Sequence, residues 1–220
     1  MTHLEAFILD LDGVLTDTAE YHYRAWKRLA DEEGITFTRE ENEQLRGVSR
    51  RRSLEILLGD HVDKYSEAEI QEMMARKNGY YQELLTQITE DDFLPGAREL
   101  IDELQRRGLK VAIGSASKNT KIVLRSLKIS DAFDAIADGY SAVRGKPAPD
   151  VFIWAAGRMG VYPQHCVVVE DAESGVQAAL TGGMVAVGVG PEKRVGAAHF
   201  RYATTADIDL DEILESADEG

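Results

Sequence analysis

Two aspartates, Asp10 and Asp12, follow the short apolar run Phe7-Ile8-Leu9 and precede Gly13. Such a run predicts a buried strand, so both carboxylates are expected where that strand opens into a loop. Two neighbouring carboxylates repel each other inside a protein unless a cation neutralises them. Mg²⁺ prefers oxygen ligands, and the pair therefore predicts a magnesium site that both aspartates help to form. The alternative is that one aspartate caps the following helix and the other is solvated.

The composition of the 220-residue chain is that of a globular protein with one large domain or two small ones. A formal net charge of −14 argues against a nucleic-acid partner, because such proteins carry a basic face. An anionic substrate would then need local positive charge. The sequence offers it at Arg46, Arg50-Arg51-Arg52, Lys118 and Lys146. One or two of these arginines are expected to lie on a solvated helix face.

No stretch of the sequence is apolar over the length that a transmembrane helix needs. No signal-peptide pattern precedes the first predicted strand, so a cytoplasmic location is expected. The single cysteine, Cys166, precedes the run Val167-Val168-Val169 and is expected to be a small core residue. Nothing in the sequence requires more than a monomer.

The predicted elements change character along the chain. A strand at residues 4–10 is followed by a long region of helix-like periodicity, from about residue 21 to residue 85. After residue 96 helices alternate with strands, which is typical of a doubly wound parallel sheet. The later strands are predicted at 110–114, 135–137, 166–170 and 184–189, and the helices at 53–58, 67–85, 97–107, 119–127, 149–159, 174–182 and 210–216.

A helical segment therefore interrupts an α/β core. We predict a Rossmann-like doubly wound parallel sheet core formed by residues 1–16 and 93–220, with an inserted all-helical cap domain at residues 17–92. Ligands bind beyond the carboxyl ends of strands in such sheets. The insert leaves the core at this edge, so it can act as a lid over the site.

Polar residues recur at the ends of the predicted strands. Since the carboxyl ends of parallel strands meet at one edge, residues about 160 positions apart can share a site. Asp10, Glu170 and Asp171 would supply hard oxygen ligands for a cation. Each group alone is a weak signal, because a serine or aspartate after a strand often only caps a helix. Together they indicate one site: Asp10 with Asp12, Ser115 with Ser117-Lys118-Asn119, Lys146-Pro147, and Glu170 with Asp171.

These residue types suit phosphoryl transfer. A carboxylate such as Asp10 can be the nucleophile and form an aspartyl-phosphate, while a metal screens the repulsion between the two anions. Ser115 and backbone N–H groups at the start of the next helix can hold the transferred phosphate. Lys146 would stabilise the developing charge and keep Asp10 ionised. Asp12 is the natural general acid and base.

The residues together resemble the four motifs of the haloacid dehalogenase superfamily, and the resemblance covers essentially the whole chain. Finer features resemble its β-phosphoglucomutase family. They are Thr18, His22 and Trp26, the cap segment Arg46-Gly47-Val48-Ser49-Arg50 with Ser53, and the core segment Ser115-Ala116-Ser117-Lys118-Asn119. The family commonly has a lysine at the position of Arg46, which keeps the charge but changes the donor geometry.

The resemblance implies Mg²⁺-dependent interconversion of β-D-glucose 1-phosphate and glucose 6-phosphate. Asp10 would carry the phosphoryl group and Asp12 the protons, with β-glucose 1,6-bisphosphate as primer and intermediate. The intermediate turns end for end, so a second phosphate pocket is needed. In the family that pocket uses residues corresponding to Arg50, Ser117, Lys118 and Asn119.

The resemblance also gives roles to residues at the start of the cap. His22 would position Asp12 and couple cap closure to proton transfer. Trp26 is expected either in the core or as a platform for the sugar. Further sugar-phosphate contacts are implied for Thr18, Arg46, Gly47, Ser53, Ser115 and Ala116.

Two other functions fit parts of the sequence. A sugar-phosphate or phosphoglycolate-type phosphatase of the same superfamily would use the same catalytic motifs and differ by admitting water to the aspartyl-phosphate. A non-catalytic acidic protein that binds a partner through its helical insert is a weaker interpretation, because every expected catalytic position is filled.

Overall fold

The computed structural model describes residues 3–218, and within them six parallel strands form one sheet. The strands are β1 (Ala6–Leu9), β2 (Lys110–Gly114), β3 (Ala135–Ala137), β4 (Cys166–Glu170), β5 (Val185–Val189) and β6 (Phe200–Tyr202). Their order across the sheet is β3-β2-β1-β4-β5-β6, so β1 and β4 are central neighbours. The predicted doubly wound sheet is confirmed. The short edge strand β6 was not predicted, because its three residues are only partly buried or exposed.

The helices fall into two groups along the chain. Four precede residue 86: α1 (Ala19–Glu32), α2 (Arg39–Asn42), α3 (Arg50–Leu58) and α4 (Glu67–Leu85). The others alternate with the strands: α5 (Ala97–Arg106), α6 (Thr120–Ser126), α7 (Asp150–Met159), α8 (Glu173–Thr181), α9 (Glu192–Val195) and α10 (Leu210–Asp218). None of the described helices combines the length and the apolarity needed to cross a membrane.

The central strand β1 is buried on both faces, as a strand covered by two helical layers must be. Phe7 and Leu9 pack into one apolar cluster with residues of α5, α6 and α10. Ala6 and Ile8 point to the opposite face and pack against α7 and α8. This alternation assigns each side chain of β1 to one helical layer, and the parallel pairing with β2 and β4 places its carboxyl end, which carries Asp10, at the edge of the sheet.

The four early helices enclose a hydrophobic core of their own, which includes Trp26, Leu29, Leu54, Ile70 and Met73. Helix α1 packs along α4 in this unit.

The helix predicted to begin at Ser53 begins one turn earlier, at Arg50. The Ser49 hydroxyl accepts a hydrogen bond from the Arg52 N–H at 3.3 Å and caps the helix there. The capped start places Arg50 in the first turn of α3, beside the core.

The two connections between the helical unit and the sheet are hydrogen-bonded to each other. The Thr16 hydroxyl donates to the Asp92 carbonyl oxygen at 2.7 Å, and the Leu94 N–H donates to the Leu15 carbonyl oxygen at 2.9 Å. The two connecting segments therefore leave the core side by side, next to the loop that carries Asp10 and Asp12.

Candidate active site

Asp10 is the first residue after β1 and is almost fully buried. Its Oδ1 accepts a hydrogen bond from Lys146 Nζ at 2.6 Å, and its Oδ2 accepts one from the Asp12 N–H at 2.9 Å. Its own N–H donates to the Val169 carbonyl oxygen at 2.9 Å, which ties the loop to β4. Asp10 is thus held by groups from three segments of the chain, two of which contact its carboxylate.

Lys146 reaches this carboxylate from the loop before α7, and its side chain is completely buried. The Nζ also donates to Glu170 Oε1, so one cation bridges two carboxylates. Burial by itself lowers the pKa of Lys146, but the charges of Asp10 and Glu170 raise it more, and the pKa lies above its usual value. The ammonium group therefore stays charged and neutralises part of the site.

Asp10, Glu170 and Asp171 each offer a carboxylate oxygen, and these oxygens lie within 4.8 Å of one another. Burial and the neighbouring carboxylates raise the pKa of Glu170 and of Asp171. Lys146 offsets this only in part at Glu170, and Arg46 and Arg194 offset it only in part at Asp171. Hard oxygen donors with excess negative charge fit Mg²⁺, which would supply the missing positive charge. We define these three residues as the carboxylate cluster.

Asp171 is held from both sides of the site by arginines. Its Oδ2 accepts hydrogen bonds from Arg46 at 3.1 Å and from Arg194, in α9, at 3.0 Å. Arg46 lies just before α3, so this ion pair joins the helical unit to the core. Neither Arg46 as a partner of Asp171 nor any role for Arg194 was predicted, because neither residue is near Asp171 in sequence.

Two glycines allow this close packing. Gly13 has a φ of +87°, and a Cβ there would lie 2.4 Å from an Asp171 carboxylate oxygen. Gly47 has a φ of +69°, and a Cβ there would lie 2.7 Å from the Ser174 hydroxyl oxygen. Both positions need a left-handed backbone conformation that side chains disfavour, and both need the space.

The carboxylate of Asp12 is not part of the carboxylate cluster. Its Oδ1 accepts a hydrogen bond from the Thr18 hydroxyl, which in turn accepts one from Tyr81 Oη at 3.1 Å. Asp12 was predicted to help form the metal site with Asp10, Glu170 and Asp171; its carboxylate does not lie with the other three, and a ligand role for Asp12 stays a prediction. Burial under the helical unit and the charge of Asp10 raise the pKa of Asp12 to about 7, which suits an acid and base at neutral pH.

Thr18 lies away from the cavity, completely buried, whereas a substrate contact was implied for it. The hydroxyl is fully occupied between Asp12 and Tyr81. Its place at the start of α1 makes Thr18 a link between Asp12 and α4, and a direct contact with a substrate stays a prediction.

Lys77 is a buried lysine that the sequence analysis did not single out. Its Nζ lies 2.9 Å from His22 Nδ1 and sits over the rings of Trp26 and Tyr81 at 4.7 and 4.6 Å. Within residues 3–218 it forms no ion pair with a carboxylate. Burial, followed by the charge of Arg50, lowers the pKa of Lys77 well below its usual value.

A signal for Lys77 was present in the sequence. The buried residues of α4 are spaced three or four apart, at Ile70, Met73, Lys77, Tyr81 and Leu85, so the lysine occupies the apolar face of its helix. A lysine in that place is rarely buried without a function.

His22 contacts Lys77 and stacks on Tyr81, with ring centroids 4.0 Å apart. Burial and the positive charges of Lys77 and Arg50 lower its pKa well below the usual value, so the imidazole is neutral. It makes no hydrogen bond to Asp12. The hydrogen bond that orients the Asp12 carboxylate comes from Thr18. Thr18 and His22 both contact Tyr81.

A cavity of about 760 Å³, including its part open to solvent, lies between the helical unit and the sheet edge. The lining combines groups from both: Asp10, Asp12, Ala19, His22, Trp26, Asn42, Leu45, Arg46, Gly47, Val48, Arg50, Ser53, Lys77, Ser115, Ala116, Ser117, Lys118 and Asp171. Most predicted site residues therefore converge. Lys146, Glu170 and Asn119 are buried just outside the lining, and Trp26 both fills the helical core and borders the cavity.

Positive charge accumulates at the wall opposite the carboxylate cluster. Arg50 is half-buried, and its described side-chain partner is the neutral Asn78, whose Oδ1 accepts from Nη2 at 2.8 Å. Burial lowers the pKa of Arg50, and no carboxylate compensates. Lys118 lies over the Tyr140 ring, also without an ion pair in the described residues. These cations are placed for an anion.

Arg51 and Arg52, which follow Arg50, have carboxylate partners, as predicted for one or two arginines on a solvated helix face. Arg51 pairs with Glu55 and Glu67, and Arg52 pairs with Glu55 on an exposed face of α3. Both face away from the cavity, so Arg50 and Arg46 are the members of the basic stretch that reach it.

The loop after β2, which is predicted to bind phosphate, is preorganised by its own hydroxyls. Ser115 Oγ accepts from the Ser117 N–H at 3.1 Å, and Ser117 Oγ accepts from the Asn119 N–H at 3.2 Å. Ser115 is almost completely buried beside Asp10 at the end of the adjacent strand. The loop thus presents polar groups to the space above the nucleophile.

Comparison with known proteins accounts for this arrangement. A model of haloacid dehalogenase-like hydrolases matches residues 4–183 of the chain. The chain belongs to this family. Among individual proteins, the chain is 44% identical over 214 residues to a β-phosphoglucomutase of Bacillus subtilis, covering 96% of this chain and 95% of the relative.

Two further proteins show how the similarity to this chain varies. A crystal structure of β-phosphoglucomutase from Clostridium difficile superposes with a TM-score of 0.94 at 41% identity and covers 98% of each chain. A phosphorylated carbohydrates phosphatase of Thermotoga maritima is 29% identical, covering 96% of this chain and 97% of the relative. The mutases are thus more similar to the chain than this phosphatase.

Proposed function

We propose that the chain is a β-phosphoglucomutase that interconverts β-D-glucose 1-phosphate and glucose 6-phosphate through an aspartyl-phosphate and β-glucose 1,6-bisphosphate. Arg50 carries this proposal, because an uncompensated arginine across the cavity from the nucleophile provides for a second phosphate. A phosphatase needs one phosphate site, whereas a mutase must also hold the distal phosphate of the bisphosphate. The similarity to two β-phosphoglucomutases supports the same reaction.

Asp10 acts as the nucleophile. Its carboxylate attacks one phosphorus of the bisphosphate, so a bond from aspartate oxygen to phosphorus forms and the bond to the sugar oxygen breaks. Lys146 and Ser115 flank the transferred group with positive charge and a hydroxyl. Mg²⁺ held by the carboxylate cluster would neutralise charge between the nucleophile and the phosphoryl oxygens.

Asp12 moves the proton in both directions. It accepts the proton of the C6 hydroxyl of β-glucose 1-phosphate when that hydroxyl attacks the aspartyl-phosphate and forms the bisphosphate. It returns a proton to the C1 oxygen when Asp10 attacks the phosphorus at C1 and glucose 6-phosphate leaves. A pKa of about 7 permits both steps near neutral pH. Thr18 holds Asp12 towards the cavity from the helical side.

The helical unit serves as a cap in this proposal, with residues 1–16 and 93–220 as the core domain and 17–92 as the cap domain. Its separate hydrophobic core and the paired connections at Thr16 and Leu94 support movement as one body. Closure would bring Arg50, His22 and Lys77 over the substrate and exclude water from the aspartyl-phosphate. All the groups named come from one chain, so a monomer suffices.

An assay on both anomers of glucose 1-phosphate tests the function. With Mg²⁺ and a bisphosphate primer, we expect glucose 6-phosphate from the β anomer and little free phosphate. Release of inorganic phosphate without isomerisation would instead identify a phosphatase, and activity confined to the α anomer would contradict the assignment.

A further inference from the structure

One amide oxygen joins the two halves of the basic wall. Asn78, on α4, accepts at its Oδ1 from Arg50 Nη2 at 2.8 Å and from Asn119 Nδ2 at 2.8 Å. Arg50 belongs to the helical unit, and Asn119 follows the serine loop of the sheet. Asn78 therefore sets the distance between two proposed phosphate ligands that come from different parts of the fold.

The neutrality of Asn78 is physically significant. A guanidinium has five N–H donors, so a bond to one amide oxygen leaves others for an anion. A carboxylate at this place would hold Arg50 as well but would cancel its charge. The amide orients the arginine and leaves its charge available to a ligand.

The side chain of Asn119 also points towards α4. Asn119 precedes α6, yet its side chain makes no capping bond to that helix. Its Nδ2 donates to Asn78, and its Oδ1 accepts from Gln82 Nε2 at 3.0 Å. Asn78 and Gln82 are four residues apart, on one face of α4. The almost fully buried Asn119 is thus held by two amides of the helical unit.

We propose that Asn78 is a positioning residue for the second phosphate: it holds Arg50 and Asn119 next to each other without neutralising the arginine. Gln82 supports the same arrangement from the exposed side of the contact. This inference rests on the proposed mutase function and assigns it a residue that does not touch the reacting atoms.

Three variants test the proposal: Asn78→Asp, Asn78→Ala and, as a matched control, Gln71→Glu, an amide-to-acid change on the exposed face of α4. The measurements are kcat and KM for β-glucose 1,6-bisphosphate, with melting temperatures to verify folding. We expect Asn78→Ala to raise KM about 10-fold, and Asn78→Asp about 100-fold because its charge pairs with Arg50. Gln71→Glu should leave both constants unchanged.

The decisive result is which of the two variants, Asn78→Asp or Asn78→Ala, raises KM more. A residue with only a structural role would tolerate the nearly isosteric aspartate better than alanine, so a smaller KM effect for Asn78→Asp would overturn the proposal. A KM unchanged in both variants would overturn it too. If Asn78→Ala does not fold, Asn78→Asp against Gln71→Glu decides alone. If the wild-type protein forms no glucose 6-phosphate, the proposed function itself has failed.

Discussion

On the core side of the cavity, carboxylates outnumber cations, whereas on the helical side Arg50 has no carboxylate partner among the described residues. Asp10 and Glu170 share the ammonium group of Lys146, while Asp171 pairs with Arg194 and with Arg46 of the helical unit. The pKa of Glu170 and that of Asp171 still lie above their usual values, so the site has room for further positive charge. Across the cavity, Arg50 and Lys77 have only neutral side-chain partners among the described residues. A protein of formal charge −14 thus keeps uncompensated positive charge where an anion can use it.

The contrast shows how one cavity can accept a doubly phosphorylated sugar. In the proposed mechanism the core side would bind a cation and, with it, the phosphate that reacts. The helical side would bind the phosphate that does not react, directly through positive charge. The following substitutions test each side in turn.

The largest effect is expected on the core side, from Asp10→Asn. The amide cannot form the aspartyl-phosphate, so glucose 6-phosphate formation should fall at least ~10⁴-fold. Initial rates with β-glucose 1-phosphate and primer measure this. Retention of substantial activity would remove Asp10 from the nucleophile's role and, with it, the proposed mechanism.

Lys146→Met leaves Asp10 and Glu170 buried without their cation. We expect a loss of about 3–5 kcal/mol in the free energy of unfolding, measured by urea denaturation without metal. Added Mg²⁺ should restore part of it. Lys27→Met removes an exposed ion pair with Asp31 and is the control, with an expected loss below about 1 kcal/mol. Equal losses in the two variants would contradict the role of Lys146 in charge balance.

Arg50→Met tests the helical side. Loss of the bidentate donor for the second phosphate should raise KM for the bisphosphate about 100-fold. Arg52→Met is the matched control, because Arg52 lies two residues on in the same helix, is exposed and pairs with Glu55. A similar KM in the two variants would show that the second phosphate binds elsewhere.

The neutral His22 predicts a pH dependence of stability. Its pKa is lower in the folded state than in the unfolded chain, so the unfolded chain binds more protons and the contribution of His22 to stability falls as the pH drops below about 6.5. At pH 5.5 this loss is about 1.4 kcal/mol if the folded imidazole stays neutral, and it opposes the gain that the raised pKa values of Asp12, Glu170 and Asp171 give as the pH falls. His22→Gln should therefore raise the unfolding free energy at pH 5.5, relative to that at pH 7, by about 1 kcal/mol compared with the wild-type protein.

The exposed His61 provides the control for that measurement. His61→Gln should keep the wild-type slope over the same pH range. A slope that His22→Gln leaves unchanged would mean that the imidazole is not held neutral in the folded protein.

The smallest effect is expected for Arg194→Met. Arg194 and Arg46 both bind Asp171, so they compete with a cation for its charge, and Arg46 alone can still orient the carboxylate. Mg²⁺ should bind about 3–10-fold more tightly to the variant in calorimetry, through reduced repulsion. Arg201→Met, which removes an exposed pair with Glu192, should not change the affinity. Weaker binding to Arg194→Met would show that orientation outweighs repulsion.

Local patterns were sufficient to predict most of the sheet and the residues at its edge. An apolar strand followed by Asp10, Ser115 or Glu170 is recognisable from a few neighbouring residues, and parallel strands then bring those ends together. The start of α3 was wrong by one turn, because the capping Ser49 precedes three arginines rather than an apolar run. The edge strand β6 was missed because it is three residues long and lacks a buried face.

The sequence determined the site residues that follow from local patterns, and not those that depend on contacts between distant segments. The sequence by itself determined the nucleophile, the lysine and the acidic ligands, because each follows a strand whose end must lie at the common edge. Only the tertiary structure decided that Asp12 turns to Thr18, that Lys77 faces His22, and that Asn78 joins Arg50 to Asn119. Those contacts cross between the helical unit and the sheet. Their geometry follows from how two separately folded cores pack together, and no local pattern in the chain records it.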